Sequence, residues 1–288
     1  MKARQEIAWG FSDCDPRFEV TGDYDRAANV RLAVRAARHV VRRVQKAIIR
    51  QVESSARHAS GPITQPYESQ APTMTDTIAY YDAHADEFAA RTLPADLTDV
   101  AETFLALVPA GGRILDFGCG AGRDARLFMD RGFDIDAVDG STQMCRVARE
   151  RSSVPARQML FSELSAQEEY DGIWACSSVL HLPKDELRPV LERMTRALRQ
   201  GGVMYLSFKY GAFEGERNGR HFTDFTKQTF LGFLKTTDCA DELGCGKLQN
   251  VEMQPAEDEG PLPRFWVSND VRPGRSDERW LNMLLRRS

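Results

Sequence analysis

Apolar and polar positions change period several times along the chain, and each change marks the edge of an element. Between about Asp25 and Glu53, Val30, Val34, Ala37, Val41, Val44, Ile48 and Val52 recur at three- or four-residue steps, which predicts a helix. Arg31, Arg35, Arg38, Arg42, Lys46 and Arg50 form a second stripe beside the apolar one. Ser54 to Pro72 is rich in Ser, Pro, Gln and Thr and reads as a linker. Met74 follows directly, so residues 1–73 read as an N-terminal extension and residues 74–288 as the folded body.

Within the body, helical spacing alternates with short apolar runs. Helices are expected over Thr77 to Arg91, Leu97 to Leu107, Arg123 to Arg131, Ser141 to Arg149, Lys184 to Leu198 and Lys227 to Leu234. Ser141 stands where an N-cap belongs. Strands are expected at Arg113 to Phe117, Ile135 to Val138, Gln158 to Phe161, Tyr170 to Ser177, Val203 to Phe208, Arg264 to Val271 and Trp280 to Arg286. Arg272-Pro-Gly-Arg275 reads as a tight turn joining the last two. Strand and helix alternate for most of this length, which predicts a doubly wound α/β fold around a seven-stranded, mostly parallel sheet. Lys209 to Asp224 is glycine-rich and charged and is expected to form a lid or substrate wall, while Asp238 to Pro263 reads as long, polar and irregular.

Composition narrows the function classes. The charge is unevenly spread: residues 1–73 hold 12 Lys/Arg against 8 Asp/Glu, and the remainder holds 26 against 34. An acidic body is not built to grip nucleic acid by its phosphates. The Arg-striped helix leaves a local RNA or membrane-surface contact open beside the alternative of a helix docked with a solvated face. No run approaches the roughly 18 apolar residues of a bilayer span, and no apolar signal core opens the chain, so a cytoplasmic protein is expected. The six cysteines lack metal-ligand spacing and read as reduced thiols.

The candidate chemistry sits in Arg113 to Gly122, read with Phe133 to Ser141. A strand stops at Gly118, Gly120 and Gly122 and a helix follows, so a ligand can approach bare backbone. The next strand ends in Asp139, placed where a bound nucleoside presents its ribose hydroxyls. A dinucleotide fingerprint would need glycine three residues after Gly120, where Arg123 stands. The carboxylate of Asp116, two residues before the first glycine, would repel a pyrophosphate and suits a ligand carrying an ammonium and a sulfonium.

With that acid-x-Gly-x-Gly-x-Gly run, the chain resembles the class I S-adenosylmethionine-dependent methyltransferases over about Met74 to Ser288. Its closing stretch resembles a bacterial small-molecule branch that includes tellurite-resistance-like members. The resemblance implies that the last strand lies antiparallel between its neighbours. It implies S-adenosyl-L-methionine as methyl donor, contacted by Tyr81, Asp116, Gly118, Gly120, Gly122, Asp139, Gly140, Met144, Glu163 and Cys176. Tyr81 would cap the donor from a Tyr-Tyr helix; Met144 would pack on adenine or serve as an ordinary core methionine. Cys176, Ser177 and Ser178 would face the cleft where the methyl group leaves. His181, just beyond, is either a general base or a packing histidine.

The Asn/Asp-Pro-Pro-aromatic signature of amino-methylating nucleic-acid enzymes is absent, with Cys176-Ser-Ser-Val in its place. A small-molecule acceptor is therefore the leading expectation. The alternatives are an RNA modifier gripping through the helix at 31–50 and a regulator that binds the donor without catalysis.

Overall fold

The computed structural model describes residues 74–245 and 262–288. The expected helix at 25–53, the linker and most of the irregular segment at 238–263 lie outside the described residues.

In chain order the elements are α1 (Met74–Thr92), α2 (Thr98–Leu105), β1 (Arg113–Phe117), α3 (Arg123–Asp130), β2 (Asp134–Asp139), α4 (Thr142–Ser152), β3 (Arg157–Gln158) and β4 (Tyr170–Ala175). Then follow α5 (Lys184–Ala197), β5 (Leu198–Lys209), β6 (Glu214–Arg217), β7 (Arg220–Thr223), α6 (Lys227–Leu234), β8 (Arg264–Asn269) and β9 (Arg279–Arg286). Seven strands form one sheet in the order β3-β2-β1-β4-β5-β9-β8. β3, β2, β1, β4 and β5 run parallel, and β9 is antiparallel to both β5 and β8. The last strand is thus inserted between its neighbours, as the resemblance implies.

The apolar runs form strands because both faces of the sheet are covered. Adjacent residues point opposite ways, and the core divides accordingly. Leu115, Phe117, Ile173, Met204 and Leu206 pack with Leu187, Leu191 and Met194 of α5 and Phe230 of α6. Ile114, Trp174, Val203 and Tyr205 pack on the other face with Phe104 of α2 and Phe128 of α3. The parallel strands end along one edge, and the loops at that edge hold the residues discussed below.

Three local departures from the expected elements have physical causes. β5 begins at Leu198 and carries its two glycines as a bulge: Tyr170 pairs with Leu198 but Gly172 pairs with Val203. β3 stops at Gln158, and Phe161 to Glu163 forms a 3-10 turn in which the Leu160 amide donates to Glu163 Oε2 at 2.7 Å. That turn carries the Phe161 ring inward onto Phe117, centroids 4.7 Å apart. The expected lid contains a separate hairpin, β6–β7, closed by Asn218 and Gly219 at φ of 53° and 76°. Asn-Gly adopts this left-handed pair readily, and the turn matches the twist of the flanking strands.

Candidate functional site

Gly118 sits at φ 90°, and a Cβ there would come within 2.4 Å of the Ser178 Cβ, so only glycine lets the β1 and β4 loops approach this closely. The amides of Gly118 and Cys119 both donate to the Val138 carbonyl at 2.8 Å. The Gly120 amide donates to Asp139 Oδ2 and the Ser141 amide to Asp139 Oδ1, each at 2.9 Å. The glycine turn is therefore tied to the end of β2 by its own N–H groups.

Asp116, 3% exposed, lies beneath this turn, near enough to the backbone amide of Ala125 in the first turn of α3 for that amide to favour its charged form. A carboxylate so occupies the helix N-terminus, the place where a dinucleotide would lay its pyrophosphate. Its Oδ2 is buried and has no partner. Burial, then the nearby Asp124 charge, pushes its pKa well above the usual carboxylate range, despite the nearby Arg123 guanidinium. Burial likewise raises Asp139, partly offset by its two amide donors.

Both acids line one large pocket. Its walls include Thr77, Ile78 and Tyr81 of α1, Gly118, Gly120 and Gly140, and Met144 and Phe161. Ser141 caps α4, accepting the Met144 amide at 3.0 Å, and thereby fixes the methionine against the pocket. Two expected contact residues lie elsewhere. Gly122 is absent from the lining; at φ 80° it caps α3 and leaves no room for a Cβ beside Val154 and Ala148, both about 3.1–3.2 Å away. Glu163 turns to the Leu160 amide and lines a separate polar groove with Arg113, Asp136 and Arg157.

Cys176 lines the pocket, its thiol pushed up to about 12 by burial. Ser177 follows in the left-handed region at φ 54°, held by its amide donating to Ser207 Oγ at 2.8 Å. Such backbone strain in a non-glycine residue concentrates at functional sites. His181 is also in the wall, 5% exposed. Its Nδ1 lies 2.7 Å from the His221 carbonyl, which can only accept, so the proton is on Nδ1. Nε2 must then accept from the Tyr81 hydroxyl at 2.8 Å, and that hydroxyl accepts from Arg220 Nη1 at 3.2 Å. Burial holds the imidazole neutral, with its pKa lowered to about 3.

The pocket also draws on residues that were not expected to contact a ligand. Arg123 and Asp124 face it from α3, Tyr205 and Ser207 from β5, and Asp270 and Arg272 from the β8–β9 connection. Asp270 accepts Trp280 Nε1 at 3.1 Å and Arg272 Nε at 2.8 Å, and this pairing brings its carboxyl down to about 2 against the burial that opposes it. Arg123 was legible only as the residue that breaks a dinucleotide fingerprint, and for the others no spacing tells which side chain turns inward. Among the described residues no cluster of three or more metal-ligating side chains occurs, and no helix is long and apolar enough to cross a membrane.

Residues 114–202 match the family model described as a methyltransferase domain. A malonyl-[acyl-carrier protein] O-methyltransferase of Enterobacter lignolyticus is 31% identical over 110 residues, 36% of this chain and 42% of that protein. A ubiquinone biosynthesis O-methyltransferase of Xanthomonas oryzae is 24% identical over 194 residues, covering 60% of this chain and 75% of its own. The chain spans about two-fifths of the length of the first curated relatives it matches. Among solved structures, the 1,6-didemethyltoxoflavin-N1-methyltransferase of Burkholderia thailandensis, with bound 1,6-didemethyltoxoflavin and S-adenosylhomocysteine, superposes with a TM-score of 0.53 at 18% identity. It covers 80% of this chain and 93% of its own, a likeness of fold.

Proposed function

We propose that this chain, whose residues 114–202 match a methyltransferase domain, moves a methyl group from S-adenosyl-L-methionine to a small-molecule acceptor, as class I S-adenosylmethionine-dependent methyltransferases do. The observation that carries the reading is the Asp116 carboxylate at the N-terminus of α3 with its second oxygen buried and unpartnered. A diphosphate placed there would meet a buried acid, and the amides of Gly118, Cys119 and Gly120 are already spent on β2. An ammonium placed there would relieve the acid, because a buried carboxylate gains most from a cation at hydrogen-bonding distance.

The donor brings an electrophilic methyl group on a sulfonium; the chain's part is to hold, orient and exclude water. Asp139 would receive the ribose hydroxyls, Asp116 the amino group, and Met144 and Phe161 the flat base. Gly118 and Gly140 leave the walls bare enough for close approach. Tyr81 stands across the pocket with its hydroxyl proton committed to His181 Nε2. His181 in this state is an anchor for Tyr81 and not a base: both nitrogens are engaged and the neutral ring resists protonation. The acceptor is therefore one whose nucleophilic atom needs no proton removed by this histidine.

The relatives named above act on unlike acceptors, a carrier-bound malonyl group in one and a heterocycle nitrogen in another, so the acceptor has to be argued from this pocket alone. The reading is tested by incubating the full chain with methyl-labelled donor and a cell extract separated into small-molecule, RNA and protein fractions. Label is expected in the small-molecule fraction, with S-adenosylhomocysteine formed. Asp139→Ala is expected to weaken donor binding about tenfold to a hundredfold, the loss of roughly 1.5–3 kcal/mol in charge-assisted hydrogen bonds. Label confined to RNA or protein would overturn the acceptor class, and no transfer to any fraction would overturn methyl transfer.

A further inference from the structure

The kink at His84 divides α1 into two halves that meet the rest of the chain differently. Before it, Thr77, Ile78 and Tyr81 line the pocket, and a Cβ on Gly140 would come within 3.1 Å of Ile78 Cδ1. Beyond it, Ala85 and Ala89 are buried with Met144 and Val147 of α4. Asp82, half-buried on the pocket side of the kink, reaches α4 by hydrogen bonds. Its Oδ1 accepts the Ser141 hydroxyl at 2.6 Å and the Gln143 amide at 3.1 Å, with Thr142 Oγ1 at 3.4 Å.

The first turn of α4 is therefore capped from two helices. Ser141 Oγ takes the Met144 amide, and Asp82 supplies the acceptor for Gln143, where a negative charge also suits the helix N-terminus. Ser141 faces the other way as well, its amide donating to Asp139 Oδ1 at 2.9 Å. One residue thus holds the α1 carboxylate by its hydroxyl and the carboxylate ending β2 by its amide. The two acids are close: after burial, the charge of Asp82 adds to what raises Asp139.

We propose that Asp82 is a positioning residue for the donor: it latches the pocket-facing half of α1 to the residue that orients Asp139. Closure over the donor and reception of its ribose are then set together. This rests on the donor reading above, in which Asp139 receives the ribose hydroxyls. Without Asp82, the Ser141 hydroxyl proton and the Gln143 amide lose their acceptor, and the first half of α1 loses this tie. Asp86 supplies the contrast. It also joins α1 to α4, by ion pairs with Arg146 at 2.8 Å and Arg151 at 2.5 Å, but it is exposed, lies beyond the kink and reaches further along α4. If docking of α1 were all that mattered, the two acids would act alike.

Calorimetry and stopped-flow release of S-adenosylhomocysteine from the full chain test this. Asp82→Ala should weaken binding about tenfold and speed release, because it removes charge-assisted bonds. Asp82→Asn keeps an accepting oxygen and should stay within about threefold, and Asp86→Ala should leave binding and release unchanged. Amide exchange of the unaltered chain needs no substitution: residues 77–82 and the Gln143 amide should gain protection together when S-adenosylhomocysteine binds. Should Asp82→Ala not fold, that measurement decides alone. Unaltered binding by Asp82→Ala, equal weakening by Asp86→Ala, or a Gln143 amide indifferent to the ligand overturns the proposal. In those cases the donor reading stands as long as the unaltered chain binds S-adenosylhomocysteine; if it does not bind, that reading falls first and this one with it.

Discussion

Both ring nitrogens of His181 are engaged, one with a carbonyl and one with a phenol, in a wall that leaves the residue 5% exposed. Its pKa is lowered from 6.5 to about 3, so the unfolded chain takes up a proton that the folded chain refuses. The stability this contributes is complete above about pH 6.5 and is lost at about 1.4 kcal/mol per pH unit as the pH falls toward 3. Between pH 7.5 and pH 5.0 the native protein should therefore lose about 2 kcal/mol that His181→Gln does not lose. Urea unfolding of both proteins at the two pH values measures it. An equal loss in the two would mean that the histidine is not buried as neutral imidazole. At this scale sequence is informative where chemistry is local. Asp116 and Asp139 were legible because their spacing from the glycines fixes their place at strand ends. Arg272, Ser207 and Arg220 were not, because what commits or frees each one is a partner distant in sequence or a side-chain direction that no spacing encodes.

The element that closes the pocket is α1, and the β6–β7 hairpin clasps it. Arg220 lies 4.5 Å over the Tyr80 ring and donates to the Tyr81 hydroxyl, and the His221 amide donates to Thr77 Oγ1 at 3.2 Å. α1 is kinked at His84 (φ −123°, ψ 19°), whose Nδ1 reaches the Tyr80 carbonyl four residues back. Such a helix depends on its neighbour for its set against the pocket. Arg220→Ala removes a cation–π contact of about 0.5–2 kcal/mol and one hydrogen bond. It should speed amide exchange across 77–85 and weaken S-adenosylhomocysteine binding by roughly tenfold, while exchange in β1 and β4 stays slow. Unchanged exchange in α1 would show that the hairpin does not hold it. The helix itself was readable from its aromatic spacing. The hairpin was read only as a glycine-rich lid, because the Asn218-Gly219 turn signal stands between strands too short and too polar to alternate visibly.

At the scale of the molecule, the alternation of short apolar runs with helices and the closing turn were visible in advance, the antiparallel insertion of β9 was implied by the resemblance, and the strand order comes from the structure. Burial of parallel strands on both faces makes them continuous apolar runs, which is why they could be read without a structure. Doubly wound sheets in general also support dinucleotide binding, so the alternation of strand and helix does not by itself choose the ligand. The choice lies in whether the end of β1 presents amides to an anion or a carboxylate to a cation. Here Gly118, Cys119 and Gly120 give their amides to β2, and Asp116 takes the helix terminus. Calorimetric titration of the purified full chain with S-adenosylhomocysteine and, separately, with NAD tests this most directly. Saturable binding of S-adenosylhomocysteine with no heat from NAD is the expected result; NAD bound and S-adenosylhomocysteine ignored would contradict it.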